Sequence, residues 1–194
     1  MTDDTSFPRL VSLACHDLRT PLATVHGFAR TLARAGLEEP APRYVAMIEA
    51  ASVQIAELLE ELALVARIEA GRFDPRLEVV DSLALVREAA AELEDGAVAV
   101  TGEGAPVLVE VEPTRRALRQ LARATRRHGG LQSVDVAVRG VEIEIAPLAR
   151  TAEVVVTGRE LRELGAASAV ALVAALGGAI EARGGKLVVS LATG

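Results

Sequence analysis

The sequence predicts an α+β protein in which a helical hairpin, forming a dimeric four-helix bundle, precedes an α/β sandwich domain. Up to Gly71, apolar side chains recur at the spacing of amphipathic helices. After Pro75, short alternating segments typical of strands are interleaved with shorter helical segments. Aromatic residues make up only 2% of the 194 residues, so the core must be assembled from aliphatic side chains.

The hairpin is predicted from two apolar stripes that a turn separates. The stripe of the first helix consists of Leu10, Ala14, Leu18, Val25, Phe28 and Leu32. Gly36 and the run Glu39-Pro40-Ala41-Pro42 end that helix. The stripe of the second helix consists of Val45, Ile48, Ser52, Ile55, Leu59, Leu62 and Ala66. Two helices cannot enclose a core alone, so we expect a homodimer; the alternative is that the C-terminal half covers the stripes.

The chain is predicted to divide into a hairpin domain, 1–73, and an α/β domain, 74–194. Strands are expected at 77–80, 97–101, 107–111, 133–139, 141–146, 179–182 and 186–191, with a further candidate at 153–156. Helices are expected over 82–94, capped by Asp81 or Ser82, and over 112–127 and 164–176. We expect these helices to cover one face of a mixed sheet.

Composition narrows the classes of function. The net charge of −6 argues against general nucleic-acid binding. Cys15 is the only cysteine, which excludes an internal disulfide and fits a reducing compartment. The start Met1-Thr2-Asp3-Asp4 is too acidic for a signal peptide, and the weakly polar run 166–180 is too short to cross a bilayer. These features predict a cytoplasmic protein with neither a nucleic-acid nor a membrane partner.

The segment His16-Asp17-Leu18-Arg19-Thr20-Pro21-Leu22 carries the strongest chemical signal. Helical geometry places His16 nearly opposite the apolar stripe, with Arg19 and Thr20 on its own side. An accessible imidazole is a good nucleophile toward phosphorus, and the neighbouring Asp17 can hold the proton of the other ring nitrogen. A solvated surface histidine is the alternative interpretation. His26 and His128 lack a comparable setting, and we interpret them as ordinary surface residues.

This segment resembles the phosphoacceptor box of two-component sensor histidine kinases. The runs Ile55-Ala56-Glu57-Leu58-Leu59-Glu60-Glu61-Leu62 and Arg67-Ile68-Glu69-Ala70-Gly71 are similar to the end of that family's second helix, and the resemblance covers roughly residues 5 to 75. It implies that the hairpin dimerises and that His16 carries a phosphoryl group. It also implies that Asp17 is the acid/base partner and that Thr20 aids water-mediated dephosphorylation; Arg19 or Thr20 is expected to touch phosphoryl oxygens.

The second half resembles the family's ATP-binding domain in the order of its elements, but its catalytic residues are missing. Glu112-Pro113-Thr114-Arg115 is similar to the start of the nucleotide-site helix, yet the asparagines with which the family holds metal are absent, because the chain contains no asparagine. Pro147-Leu148-Ala149-Arg150 stands where the family has Asp-x-Gly-x-Gly, and Gly165-Ala166-Ala167-Ser168 lacks a second glycine. The resemblance therefore implies a degenerate ATPase-like domain with no cofactor or metal of its own.

A phosphoacceptor hairpin joined to such a domain resembles the two-domain histidine phosphotransferases of phosphorelays. The expected partners are response-regulator receiver domains, one donating and one accepting the phosphoryl group, and an upstream kinase or hybrid kinase; Mg²⁺ is expected on the receiver. Two alternatives stay open, a noncatalytic pseudokinase scaffold that binds a response regulator and an active histidine kinase. Whether the chain is an enzyme stays open; if it is one, we expect a phosphotransferase that forms a phosphohistidine intermediate and not an ATP-dependent kinase.

One face of the helix at 112–127 is rich in arginine and is a candidate docking surface for an acidic partner. Helical geometry gathers its basic side chains within about a third of a turn. The residues that we expect to dock a receiver are Arg115, Arg119, Arg123 and Arg126. The alternatives are a solvated basic face and a site for an anion or a nucleotide phosphate.

Overall fold

The computed structural model of the chain describes residues 6–34, 41–93 and 96–193. The chain divides into two compact units, Met1–Arg72 and Phe73–Gly194, and each unit is described by itself. Among the described residues, no helix combines the length and the apolar character that crossing a membrane requires.

The first unit is a hairpin of two long helices, α1 (Ser6–Arg34) and α2 (Ala41–Glu69). Arg30 of α1 lies 3.5 Å from Glu49 of α2 in an exposed ion pair, which adds little to stability. Packing along the seam contributes more. Cys15 and Ala29 of α1 are buried, and these small side chains allow the two helices to approach closely. The two helices therefore pack along a narrow seam that contains small and aliphatic residues.

The described residues of the two predicted apolar stripes are only partly buried inside this single hairpin. In α2, the buried residues include a series with a period of seven, Val45, Ser52, Leu59 and Ala66, to which Glu61 and Leu64 add. The other stripe residues of the two helices are exposed or partly exposed: Val25, Phe28, Leu32, Ile48, Ile55 and Leu62. One hairpin partner covers only part of so wide an apolar surface, and the homodimer that we expect to cover the rest stays a prediction. Leu10, Ala14 and Leu18 lie outside the described side chains.

The second unit contains the predicted α/β sandwich. Its elements, in chain order, are β1 (Glu78–Asp81), α3 (Ser82–Ala91), β2 (Val98–Gly104), β3 (Pro106–Val109), α4 (Val111–Gly129), β4 (Val134–Gly140), β5 (Glu142–Ala146), α5 (Arg150–Val156), α6 (Leu164–Ala175), β6 (Ala179–Arg183) and β7 (Lys186–Ser190). Five strands form a mixed sheet in the order β2-β4-β5-β7-β6, in which only β2 and β4 are parallel. β1 and β3 form a separate antiparallel pair.

Strand alternation explains how the sheet meets its helices. Val134, Val136 and Val138 of β4 are buried together with Ile143 and Ile145 of β5, because every second side chain points to the helix-covered face. The helix α3 begins as predicted, since the Asp81 side chain accepts a hydrogen bond from the Ala84 N–H at 2.9 Å. The other candidate cap, Ser82, has a different role. Its buried hydroxyl donates to the Gly140 carbonyl at 2.5 Å and accepts from the Ala105 N–H at 3.1 Å.

The segment 153–156 is helical, so its prediction as a possible strand is wrong. The run Glu153-Val154-Val155-Val156 has the β-branched composition of a strand. It instead continues α5, which begins where the N–H groups of Ala152 and Glu153 donate to the Ala149 carbonyl. Ala152, Val155 and Val156 are fully buried, since α5 packs on α4. Tertiary burial has overridden the local strand propensity.

The face of the sheet away from the helices carries a cross-strand charge cluster centred on Glu144. Its carboxylate accepts a hydrogen bond from Lys186 Nζ at 2.7 Å, and Arg139 Nε lies 3.4 Å from the same oxygen. The Glu144 side chain is only 13% exposed. The hydrogen bond from Lys186 holds the pKa of Glu144 below its ordinary value of 4.5, against the opposing effect of burial.

We expect Glu144→Gln to lower the free energy of unfolding at pH 7 by about 1 kcal/mol, because the amide cannot replace the charge-assisted bond to Lys186. A carboxyl group with a depressed pKa in the folded state stabilises the fold above its unfolded pKa, and this contribution is lost as the pH falls through the folded pKa. The variant should therefore lose less stability than the native protein when the pH falls from 7 to below 4.5.

Urea denaturation at several pH values measures this effect. Glu142→Gln is the matched control, because Glu142 lies 3.4 Å from Arg183 in a more exposed pair on the same strand, and it should shift the midpoint little. Equal urea midpoints for Glu144→Gln and the native protein at pH 7 would contradict the prediction.

Candidate functional site

The phosphoacceptor-like segment lies within α1, which holds the backbone of His16, Asp17 and Thr20 in helical conformation. The side chains of these three residues lie outside the described part of the structure, so their predicted roles stay predictions. Two neighbours define the helix at this level. Cys15 is buried, and burial raises the pKa of its thiol, whereas Arg19 is exposed. One side of α1 therefore enters the seam here while another faces solvent.

The arginine face of α4 is divided by ion pairs with α3. Arg119 is buried and pairs with Glu92, and Arg115 lies 3.1 Å from Glu92 and 3.5 Å from Glu88. Both guanidinium groups therefore tie α4 to the end of α3. Arg123 is exposed and Arg126 is half-buried. The docking role of these four arginines stays a prediction, and the geometry gives Arg123 the greatest access to a partner.

The C-terminal end of α4 contains a polar cluster that the sequence did not reveal. His128 Nε2 lies 2.8 Å from Glu163 Oε2, and Arg127 lies 3.8 Å from the other oxygen of the same carboxylate. The Thr151 hydroxyl donates to the His128 carbonyl at 2.7 Å. The interpretation of His128 as an ordinary surface residue is wrong, because its half-buried ring contacts Glu163. The cluster fastens the starts of α5 and α6 to the end of α4.

The surface of α4 that faces α5 and α6 is filled with side chains. Ala152, Val155 and Val156 of α5 are fully buried there, and α6 packs on α4 as well. A Cβ atom on Gly165 would come within 2.8 Å of the Gln120 side chain, so the two helices approach closely at that glycine. The described residues include no group of three or more histidine, cysteine, aspartate or glutamate side chains that could hold a metal ion.

Comparison with known proteins is consistent with both units. Residues 9–71 match the His Kinase A (phospho-acceptor) domain. The full-length structure of ShkA in complex with AMPPNP is similar to this chain, with a TM-score of 0.66 and 21% sequence identity. The match covers 96% of this chain and 47% of that chain. The ATP-binding domain of PrrB from Mycobacterium tuberculosis is also similar, with a TM-score of 0.50 and 20% sequence identity. The match covers 61% of this chain and 98% of that domain. The first unit is therefore similar to a phospho-acceptor domain, and the likeness to the two solved structures is one of fold.

Two curated relatives extend the comparison. It is 28% identical over 103 residues to the hybrid signal transduction histidine kinase L of Dictyostelium discoideum, over 53% of this chain and 6% of the relative. It is 36% identical over 64 residues to the sensor protein DivL of Caulobacter vibrioides, over 32% of this chain and 8% of the relative. The matched segments thus cover less than a tenth of the length of these relatives.

Proposed function

We propose that this histidine kinase-like chain is a histidine phosphotransferase that passes a phosphoryl group between receiver aspartates through His16. The observation that carries the proposal is the packing around α4, in a chain that contains no asparagine to hold a metal ion. Aliphatic residues of α5 fill the surface of the helix whose start resembles the nucleotide-site helix, and the His128–Glu163 cluster fastens α5 and α6 to it. This arrangement supports a domain that has kept its fold without nucleotide chemistry.

The proposed reaction conserves the high-energy phosphoryl group. A lone pair of the His16 imidazole attacks the phosphorus of an aspartyl phosphate, the P–O bond to the aspartate breaks, and an N–P bond forms. Asp17 holds the proton on the other ring nitrogen. Arg19, exposed one turn after Cys15, supplies positive charge to the phosphoryl oxygens. The receiver's carboxylates hold Mg²⁺, and a second receiver aspartate accepts the group by the reverse step.

The proposed active form is a homodimer that pairs two hairpins. Each hairpin leaves apolar side chains of both helices exposed, with Phe28 at 67% exposure and Met47 at 60%. Single exposed apolar residues are ordinary on a protein surface, but an exposed apolar surface that runs along two helices is typical of an interface. A second copy would cover it in a four-helix bundle and leave the opposite side of α1 free for a receiver.

A test with two phosphoryl donors separates transfer from kinase activity. We expect no label in this protein after incubation with γ-labelled ATP and Mg²⁺. We expect acid-labile label at His16 after incubation with a labelled phosphorylated receiver, found by profiling all receivers of the source organism. The physical reason is that the sequence lacks the asparagines and the glycine motif with which the family holds metal and ATP, whereas it keeps the phosphoacceptor-like His16 as a nucleophile.

Label at His16 from ATP would overturn the proposal and favour an active kinase. An established receiver–phosphotransferase pair serves as the positive control for donor competence. If no phosphorylated receiver labels this protein although one of them binds it, the noncatalytic scaffold is favoured.

A further inference from the structure

The loop between α5 and α6 presents an exposed apolar side chain. Leu161 is 83% exposed, the highest value for any large apolar side chain among the described residues. Its exposure to water is unfavourable, because burying a leucine side chain lowers the free energy. A single exposed leucine is ordinary on a protein surface, so the backbone that holds it decides whether it has a role.

The backbone around Leu161 is braced. The Arg162 N–H donates to the Glu160 carbonyl at 3.1 Å, which closes a three-residue turn with Leu161 at its apex. The Glu160 N–H donates to the Val154 carbonyl at 2.8 Å, which fastens this turn to α5. On the other side, Glu163 contacts His128 of α4. An apolar anchor held in this way loses little conformational entropy when a partner covers it.

Arginines surround this anchor. Arg159 and Arg162 flank it in sequence, and their side chains are 65% and 61% exposed. Arg127 is 73% exposed and reaches the same loop through its contact with Glu163. These arginines pair with glutamates, but exposed ion pairs are weak, so carboxylates of a partner can exchange with them. Arg123 and Arg150 add exposed positive charge on α4 and α5, in a chain whose net charge is −6.

We infer that Arg127, Arg159, Leu161 and Arg162, which we call the Leu161 surface, form a docking surface for the acidic receiver domain. This inference rests on the proposed function, since it names the part of the second unit that binds the receiver. Leu161 is the apolar anchor, which enters a recess of the receiver. The arginines steer the acidic partner and fix its orientation.

Binding and transfer are measured separately to test the Leu161 surface. Fluorescently labelled receivers are titrated with the native protein and with Leu161→Ala, Leu161→Asp and Arg162→Ala. We expect Kd to rise about tenfold for Leu161→Ala and more for Leu161→Asp, because truncating a central anchor has the largest effect at an interface. Arg162→Ala should mainly lower the association rate and weaken its salt dependence. The transfer rate at saturating receiver should stay unchanged.

Matched controls come from the same unit. Val79→Ala shortens an exposed apolar side chain on β1, and Arg183→Ala removes an exposed, ion-paired arginine on β6. Both should bind receivers as the native protein does. If the Leu161 variants also bind with native affinity while phosphoryl transfer proceeds, the docking inference is wrong and the proposed function stands. If no receiver transfers its label to the native protein but one binds it in a Leu161-dependent manner, the docking surface is supported and the proposed function fails.

Discussion

Replacing His16 with alanine is expected to abolish labelling by a phosphorylated receiver, with a loss of at least ~10³-fold in the transfer rate. In the proposed reaction the imidazole is the nucleophile, so alanine removes the atom that would accept the phosphoryl group. The residue lies in the long helix α1, in the region that matches the phospho-acceptor domain. Because alanine is the best helix former, the substitution should leave the helix and the dimer intact. Rapid-quench labelling and size analysis of the same samples check both statements.

A matched histidine in the same helix controls for general effects on α1. His26 lies ten residues after His16 and is half-buried, so His26→Ala should keep most of the transfer activity even if it weakens the hairpin. Labelling of His16→Ala at the native rate would refute the assignment of the acceptor. Normal signalling by His16→Gln in cells would instead favour the scaffold, because glutamine keeps polar contacts but cannot carry the phosphoryl group.

The sequence predicted most of the fold because the relevant signals are local. Period-two alternation located the strands of the sheet, and Asp81 marked the start of α3 through its cap. The helix α5 was missed for the opposite reason. Its valines favour a strand locally, and only contact with α4, distant in sequence, makes the helix the better solution. In the hairpin, periodicity located the apolar faces of the helices without saying which partner covers each part of them.

The candidate site was predictable only where it is continuous in sequence. The segment from His16 to Leu22 is a contiguous motif, so the candidate acceptor could be named without a structure. The pair of His128 with Glu163 joins residues 35 positions apart, and no local pattern links them. The arginine face of α4 was visible as a helical pattern, but the Glu92 carboxylate that engages both Arg115 and Arg119 lies at the C-terminal end of α3. Charge patterns therefore show where arginines lie, while tertiary contacts decide which of them a partner can reach.

Phe28→Asp is expected to break the proposed homodimer, with a rise of at least ~10³-fold in the dimer dissociation constant. Phe28 is exposed in the single hairpin, and Val25 and Leu32 lie beside it on the same side of α1. Burying one phenylalanine side chain contributes roughly 1.5–3 kcal/mol, and two-fold symmetry would place the residue in the interface twice. Two buried carboxylates add a desolvation cost to this loss.

Sedimentation velocity over a range of concentrations measures the dissociation constant, and circular dichroism follows helix content. Phe28→Ala keeps the helix without introducing charge, and it should weaken the dimer less than aspartate does. Leu161→Asp is the control for adding a carboxylate at an exposed apolar site, and it should stay dimeric because Leu161 belongs to the second unit. A native protein that sediments as a monomer at about 100 μM, far above the Kd of a stable dimer, would contradict the bundle. In that case the exposed faces of α1 and α2 must have another occupant, and the transfer assay with the monomer would show whether His16 needs a second hairpin to accept its phosphoryl group.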